Sequence, residues 1–267
     1  MESKLPGVFI TTKKDLTIYY RASLTYRRKH ISLGSFDTMI KAHLAYREAQ
    51  EILKDTSRTV DDYSPNQILS FEKWISLINY RDNNIYFCNP IYTRQKFFYY
   101  YLSPSITLIF DIDDLFYYSS HKIMKRNGHL FVADYGMQYN ILNRYNIKNY
   151  AVLGRDYRFI NGNSHDFRYE NIEILNRYHG IYRILQKGVP AYKVKIHIRS
   201  YYLVGIYSTE TEAAIAYNKA IDILRKNGFK KNYNPNFIDG LSNAEYADIY
   251  TKLKISNKLY LLTQQKR

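Results

Sequence analysis

Cysteine, proline and acidic residues are scarce in this chain, and long apolar runs are missing. A single cysteine, Cys88, in 267 residues excludes an internal disulfide and any zinc site built from several cysteines. No apolar run reaches the roughly 18 residues of a membrane-spanning helix, and no signal-peptide pattern opens the sequence. We therefore expect a soluble protein of the cytoplasm, associated with the nucleoid if it binds DNA and not with a membrane.

Basic residues far outnumber acidic ones, 39 Lys and Arg against 24 Asp and Glu, for a net charge of +15. Nucleic acid is the leading partner for such a chain, because cations that neutralise phosphates release condensed counterions. An anionic membrane surface is the competing partner. The hydrophobic fraction of 46% indicates a folded protein, and the length allows two or three small domains. The thirty tyrosines suit wet interfaces, although the codon bias of an AT-rich genome is the favoured explanation.

Two stretches repeat the same order of short motifs. The first starts at Gly7 and reads G-V-F, Y-R-A-S-L, L-G-S-F-D-T and A-H-L-A-Y. The second starts at Gly180 and reads G-I-Y, Y-K-V-K-I, V-G-I-Y-S-T and A-A-I-A-Y. In both, 12 positions separate the glycine of the third motif from the last tyrosine, Gly34 from Tyr46 and Gly205 from Tyr217. This spacing predicts a diverged internal repeat.

Each copy has the pattern of three strands followed by a helix. Residues Tyr19 to Thr25 and Tyr192 to Ile198 alternate between apolar and polar or basic side chains, which is the period of a half-buried strand. Arg28 to Gly34 supplies the third strand of the first copy. In the second copy, the alternation places four apolar side chains toward the helix and four basic ones away from it. The inward residues are Tyr192, Val194, Ile196 and Ile198, and the outward ones are Lys193, Lys195, His197 and Arg199.

Helix starts follow both sets of strands. Thr209 with Glu212 forms a capping box in the second copy, and Asp37 is the predicted cap of the first. Small residues then recur at helical spacing, which allows each helix to pack closely on its sheet. They are Ala42, Ala45 and Ala49 in the first copy and Ala213, Ala216 and Ala220 in the second.

The repeat resembles the APETALA/ethylene-response-factor DNA-binding domain. That family reads approximately G-V-x, W-x-A-x-I, L-G-x-F-x-T and E-E-A-A-x-A-Y-D-x-A, and the second copy is the better match; tyrosines (Tyr20, Tyr192) replace the strand tryptophan. In the family the sheet lies in the DNA major groove. The resemblance therefore implies DNA contacts from Arg21, Arg27, Arg28 and Lys29 in the first copy and from Lys193, Lys195, His197 and Arg199 in the second. The alternative is that these side chains are only the solvated face of an amphipathic sheet.

A different motif lies between the copies, where Arg158 to Asn171 reads R-F-I-N-G-N-S-H-D-F-R-Y-E-N. This stretch resembles the ββα metal finger of homing-type HNH endonucleases, which commonly reads D-H-I-N-G-N-x-x-D-N-R-x-E-N. The matching positions are Asn161, Gly162, Asn163, Asp166, Arg168, Glu170 and Asn171. We expect Gly162 in a turn with positive φ and Asp166 with Arg168 fixing that turn.

The residues that carry HNH chemistry are changed. Arg158 and Phe159 replace the family's D-H pair, and Asn143 replaces a further histidine. Phenylalanine neither accepts a proton nor binds a metal, and arginine repels the cation that the usual aspartate holds. Asn171 fits the distal ligand position but lacks a partner. We therefore expect no catalytic residue, no metal site and no cofactor, with Arg158, Phe159 and Asn171 as vestigial positions and Arg158 and Arg168 as phosphate contacts.

Residual nuclease activity is the alternative, with His165 as a substitute base and Mg²⁺ or Mn²⁺ as the required ion. Three acidic residues, Asp111, Asp113 and Asp114, lack complementary ligands at suitable spacing, so we expect them to be structural.

Two further helices are predicted outside the motifs. Ser64 and Pro65 with Gln67 mark a helix start running to about Asn79 and containing Trp74 as a core residue. Ser242 with Glu245 marks a final helix to about Leu262.

Together these patterns predict an α+β protein in which two three-stranded-sheet-plus-helix modules flank a ββα-metal, HNH-like finger, with helical linkers. The predicted boundaries are residues 1–58 for the first module, 59–105 for a helical and aromatic linker, 106–178 for the degenerate HNH-like domain, 179–238 for the second module and 239–267 for a C-terminal helix and basic tail.

The expected function is sequence-specific binding of double-stranded DNA without cleavage, by a transcriptional regulator derived from a mobile-element homing endonuclease. The alternatives are an active, atypical HNH nickase and an interaction protein that inhibits a phage or host factor. Whether the protein is a monomer or a dimer stays open.

Overall fold

The computed structural model describes residues 5–262, and these fall into two compact units. The first unit contains residues 5–141 together with Asn163–Asn171, and the second contains Leu142–Gly162 and the chain from Ile172 to residue 262. The architecture is mixed α+β with several small antiparallel sheets, which confirms the predicted fold class in its coarse form. No helix within residues 5–262 is long and apolar enough to cross a membrane.

The first unit consists of nine strands and three helices. They are β1 (Val8–Thr12), β2 (Ile18–Tyr26), β3 (Lys29–Phe36), α1 (Met39–Lys54), α2 (Phe71–Asn83), β4 (Ile91–Thr93), β5 (Phe97–Ser103), β6 (Ile106–Asp111), α3 (Leu115–Ser120), β7 (Ile123–Arg126), β8 (His129–Asp134) and β9 (Met137–Asn140). They form three antiparallel three-stranded sheets, β1-β2-β3, β4-β5-β6 and β7-β8-β9.

The second unit consists of five strands and three helices. They are β10 (Tyr157–Phe159), β11 (Ile172–Ile174), β12 (Ile181–Gln186), β13 (Val189–His197), β14 (Tyr201–Tyr207), α4 (Glu210–Lys226), α5 (Asn243–Lys252) and α6 (Asn257–Tyr260). Strands β12-β13-β14 form one sheet and β10-β11 a two-stranded ribbon. Short 3-10 turns occur in the chain at Val60–Asp62, Ile112–Asp114, Ile141–Tyr145 and Tyr169–Asn171.

Both predicted sheet-plus-helix elements are present. In the first, Ala42, Ala45 and Ala49 are fully buried between α1 and its sheet. The cap of α1 is Thr38, whose Oγ1 accepts a hydrogen bond from the Lys41 N–H at 3.2 Å. The prediction of Asp37 as the cap was therefore wrong, because its carboxylate instead pairs with the Lys41 ammonium at 2.8 Å.

The second element confirms the predicted cap and alternation. Thr209 and Glu212 form the capping box of α4, and the alanines at 213, 216 and 220 are fully buried. Val194 and Ile196 are buried against the helix. Lys193 and Lys195 are half-buried, and His197 is exposed.

The two elements agree in details that no strand prediction includes. A register shift interrupts β2 after Ala22 and β13 after Val194. The residue before each shift pairs with a glycine of the third strand, Gly34 and Gly205 respectively. The repeat is therefore present in the backbone as well as in the sequence.

The helix predicted from Ser64 and Pro65 was wrong in its start. Ser64 and Gln67 close a turn, in which the Ser64 N–H donates to Gln67 Oε1 and the Gln67 N–H donates to the Ser64 carbonyl, both at 3.0 Å. Helix α2 starts later, and the Ser70 side chain caps it. Trp74 is fully buried in the core, as predicted.

The acidic step after β6 has a structural role. Asp111 accepts a hydrogen bond from the Tyr169 N–H at 2.6 Å, and Asp114 is buried. Aromatic rings fill the core beside them, with Phe110 stacked on Phe167 at 5.4 Å and tilted against Tyr118 at 4.3 Å between ring centroids.

The last predicted helix is divided. Helix α5 has its predicted capping box at Ser242 and Glu245 but ends at Lys252 instead of near Leu262. The residues between α5 and α6 bind strand β14. The Ser256 N–H donates to the Val204 carbonyl and the Tyr207 hydroxyl donates to the Lys254 carbonyl, both at 2.9 Å. These tertiary bonds replace the helical ones.

Candidate nucleic-acid interface

The outer face of the second sheet, the side turned away from α4, carries the densest group of predicted DNA contacts. Lys193, Lys195 and His197 project from β13 because the residues between them point into the core. Lys193 pairs across the sheet with Tyr182, and His197 pairs with Tyr201. Alternating cations and aromatic rings therefore form one surface, which we call the second outer face.

Several cations of this face are unpaired. Within residues 5–262, the side-chain nitrogens of Lys193, Lys195 and Arg199 have no hydrogen-bond acceptor or carboxylate partner; Lys195 Nζ lies 5.6 Å from the Tyr182 ring centroid. His197 is different, since its Nδ1 lies 2.9 Å from Lys231 Nζ. Unpaired ammonium and guanidinium groups beside aromatic rings suit phosphate binding, because no internal partner must be released.

A cavity of about 160 Å³ adjoins this face inside the second unit, and we call it the tyrosine cavity. Its walls combine tyrosine rings with basic and histidine side chains. The main side chains are Tyr150, Arg155, Asp156, His179, Tyr182, Lys195, His197, Tyr201, Tyr217, Lys231 and Tyr233. Only Lys195 and His197 among them are predicted DNA contacts, because the others come from chain segments whose meeting no local pattern predicts.

The electrostatics of the cavity favour anions. Asp156 is the one carboxylate that the described residues contribute to it, and Arg155 binds it through Nε at 3.0 Å and Nη2 at 2.5 Å. The pKa of His179 is lowered below its ordinary 6.5, mainly by burial and secondly by the positive charge of Arg155. Its imidazole is therefore neutral at pH 7. Burial raises the pKa of Tyr217, which keeps its hydroxyl protonated as a donor.

The outer face of the first sheet is less basic. Arg21 projects from β2 opposite Phe9 of β1, and together with His30 and Ser32 these residues line a shallow cleft of about 240 Å³. The Arg21 side chain has no described partner. The outer face of the first sheet therefore presents one unpaired cation, Arg21, whereas the second outer face presents three.

The turn between β2 and β3 divides the other predicted contacts of the first copy. Arg27 Nη1 donates to the carbonyls of Tyr80 and Arg81 at the end of α2, both at 3.2 Å, and also to Asn84. The Arg28 side chain is exposed and has no described partner. Lys29 is on the side of the sheet that faces α1, and its Nζ lies 5.7 Å from the centroid of the half-buried Tyr86 ring. Of these three residues, only Arg27 is hydrogen-bonded within the described part of the chain.

The HNH-like stretch belongs to both units, residues 158–162 to the second and Asn163–Asn171 to the first. In the second unit Arg158 Nε binds Glu173 Oε2 at 2.6 Å across β10 and β11. Both side chains are partly exposed, so this pair is worth roughly 1 kcal/mol at most and a phosphate can compete for the arginine. The Phe159 ring packs edge-on against Tyr157 at 5.9 Å.

A ββα finger requires a helix after its second strand. Strand β11 is followed within the described chain by β12, with no helix between Ile174 and Ile181. The finger topology is thus not completed in this part of the chain. Gly162 has φ +77°, the positive value that was predicted for the turn.

In the first unit, Asp166 and Arg168 pair with each other within the Asn163–Asn171 loop. Arg168 Nε and Nη2 donate to the two carboxylate oxygens of Asp166 at 2.9 and 2.7 Å. These bonds raise the pKa of Arg168 above its ordinary value. The Asn171 side chain is buried, and its Nδ2 donates to the Asp166 carbonyl at 2.8 Å. Arg168 and Asn171 therefore hold the loop closed, and the His165 side chain is left exposed beside it.

Residues 5–262 contain no group of three or more His, Cys, Asp or Glu side chains placed to hold a metal ion. Comparisons with protein-family models, with curated proteins and with solved structures give no match.

Proposed function

We propose that this protein binds double-stranded DNA in a sequence-specific manner without cleaving it, and acts as a transcriptional regulator derived from a homing-type HNH endonuclease. The two outer faces are its reading surfaces in this proposal. The phosphate-neutralising contacts come from the unpaired cations, and the base contacts come from the side chains between them.

The second outer face is the observation that carries the proposal. Its three unpaired cations, Lys193, Lys195 and Arg199, lie along one strand and the turn that follows it. Neighbouring strands are about 4.8 Å apart, so part of a three-stranded sheet fits the major groove, which is about 12 Å wide. Cations on such a sheet reach phosphates, and the rings of Tyr182 and Tyr201 contact base edges.

The absence of cleavage in this proposal rests on side-chain chemistry at two positions. Phe159 has no atom that accepts a proton from water. Position 158 carries an arginine instead of a carboxylate that could hold a cation, and this arginine pairs with Glu173. General-base and metal assistance are each large contributions to phosphodiester hydrolysis. Losing both leaves binding as the function that the remaining residues support.

The salt dependence of binding tests the proposal. We would measure fluorescence anisotropy with a random-sequence duplex of about 30 base pairs, three helical turns, at several salt concentrations. Each phosphate contact adds about 0.9 to the slope of log affinity against log salt. Lys193→Ala with Arg199→Ala should therefore reduce the slope by about 1.8.

The control is the double variant Arg225→Ala with Lys226→Ala. These two exposed cations end α4, which packs on the opposite side of the sheet. They remove the same charge from the same unit and should leave the slope unchanged. Equal effects of both pairs would mean that only net charge matters, and no binding by the wild type would favour an interaction protein instead.

A further inference from the structure

The tyrosine cavity has more positive charge than its own carboxylate neutralises. Asp156 is already held by Arg155 and by the Val152 N–H at 2.8 Å. Lys195 and Lys231 remain, and Lys231 donates only to groups of His197. Two cations are thus uncompensated in a partly enclosed space, where charge interactions are stronger than in water.

A tyrosine hydroxyl without an acceptor from the protein lines the same cavity. Tyr217 is 2% exposed, and its hydroxyl has no hydrogen-bond partner among the described residues. Its ring is fixed on two sides, by Gly180 and by an edge-on contact with His179 at 5.4 Å between centroids. The oxygen is not among the fully buried polar atoms that lack a partner, so the hydroxyl is open to the cavity and can donate to a molecule bound there.

Size limits what the cavity accepts. Its volume of about 160 Å³ is similar to the roughly 150 Å³ of an engineered cavity that takes up benzene. A phosphate group therefore fits with part of an attached sugar or base. The walls offer lysine, arginine and tyrosine donors, with few acceptors, which suits an anion better than a neutral ring.

We infer that the tyrosine cavity binds a phosphate group, with Lys195, Lys231 and the Tyr217 hydroxyl as donors and the Tyr182 and Tyr201 rings packed against whatever the phosphate carries. This goes beyond the proposed function, because the site needs no duplex. A free nucleotide, inorganic phosphate and a nucleic-acid backbone all present the same group.

Isothermal titration of the whole protein with inorganic phosphate and with a 5′-mononucleotide tests the site. The variant Tyr217→Phe removes one donor and no charge. Loss of one hydrogen bond to a charged group should weaken binding by roughly tenfold or more. The matched control is Tyr250→Phe, whose hydroxyl donates to Asp222 in the same unit and outside the cavity; it should bind like the wild type.

Lys231→Gln provides a second variant at an exposed position, so that misfolding of Tyr217→Phe, checked by thermal unfolding, does not block the test. Binding of either small probe that both cavity variants weaken supports the site with a free ligand. No binding of small probes, together with weaker duplex binding by both variants, supports the site with a backbone phosphate.

The inference is overturned if neither probe binds the wild type and both cavity variants bind duplex normally. It is also overturned if the probes bind equally to wild type and variants. Phosphate binding without any duplex binding would leave this site standing while refuting the proposed function, so the two ideas fail separately.

Discussion

Arg27 and Arg28 are neighbours that differ in whether their side chains are hydrogen-bonded within the protein. Arg27 binds carbonyls at the end of α2, whereas the Arg28 side chain has no described partner. Both have positive φ, 46° and 65°, in a two-residue hairpin turn, where glycine and asparagine are usual. Arg27 offsets that strain by its hydrogen bonds, but Arg28 has no internal contact that does so. A strained residue without a structural role is a candidate for a functional one.

Replacing Arg28 should therefore move stability and DNA binding in opposite directions. Arg28→Gly should raise the free energy of unfolding by up to about 1 kcal/mol, because glycine adopts positive φ freely. The same change should lower the salt slope of duplex binding by about 1. Denaturant unfolding and anisotropy measure the two effects.

Arg28→Ala is the matched control, since it removes the cation and keeps the strain. It should weaken binding as Arg28→Gly does, without the gain in stability. Unchanged duplex binding in both variants would remove Arg28 from the interface.

Single residues were the least predictable part of the candidate site. The alternation of β13 correctly placed Lys193, Lys195 and His197 outward. Nothing in the sequence linked Arg155 or Lys231 to them, because they lie far away along the chain and meet the strand only after folding. Arg27 and Arg168 looked like equivalent candidates, but Arg27 binds carbonyls at the end of α2 and Arg168 binds Asp166 of its own loop.

At the scale of the elements, both repeat copies use the same close contact between a glycine and a tyrosine. A Cβ on Gly7 would lie 2.1 Å from the Tyr46 ring, and one on Gly180 would lie 2.3 Å from the Tyr217 ring. Both glycines also have φ +76°. Each contact joins the start of the first strand to the helix, which explains why glycine and tyrosine recur at matched positions.

Gly180→Ala should consequently destabilise the protein through two effects. The strain of alanine at positive φ costs about 1–2 kcal/mol, and the clash with the tyrosine ring adds about 1–3 kcal/mol. Chemical denaturation of the full chain measures the sum.

Gly188→Ala isolates the first effect. Gly188 has φ +81° in the β12–β13 turn, and a Cβ there would meet nothing within 4 Å. It should cost only the backbone strain. If both variants lose the same stability, the close glycine–tyrosine contact is not what holds strand and helix together.

Helix bounds were predicted correctly where local sequence signals agreed with one another. The predictions were wrong where other hydrogen bonds replaced the helical ones. Thr209 with Glu212 and Ser242 with Glu245 cap helices as predicted. The Ser64 to Gln67 signal closed a turn instead, since the Gln67 side chain accepts from the Ser64 N–H and the Gln67 N–H donates to the Ser64 carbonyl. The final helix ended early because residues around Ser256 bind β14.

At the scale of the whole molecule, net charge and repeat lead to the same expectation. The charge of +15 predicts attraction to nucleic acid but no particular sequence. The two outer faces carry different side chains, with Arg21 and His30 on one and Lys193, Lys195 and Tyr201 on the other. Under the proposed function, two unlike DNA-reading surfaces on one chain predict a recognition sequence without internal symmetry.

Selection of bound duplexes from a random DNA pool tests this claim most directly. We expect enrichment of a long, asymmetric sequence, in which each mismatched base pair costs about 1–3 kcal/mol of binding free energy. The enriched duplex should remain uncut when incubated with the protein and Mg²⁺ or Mn²⁺. A pool that shows no enrichment after repeated selection would contradict sequence-specific binding by the two sheets.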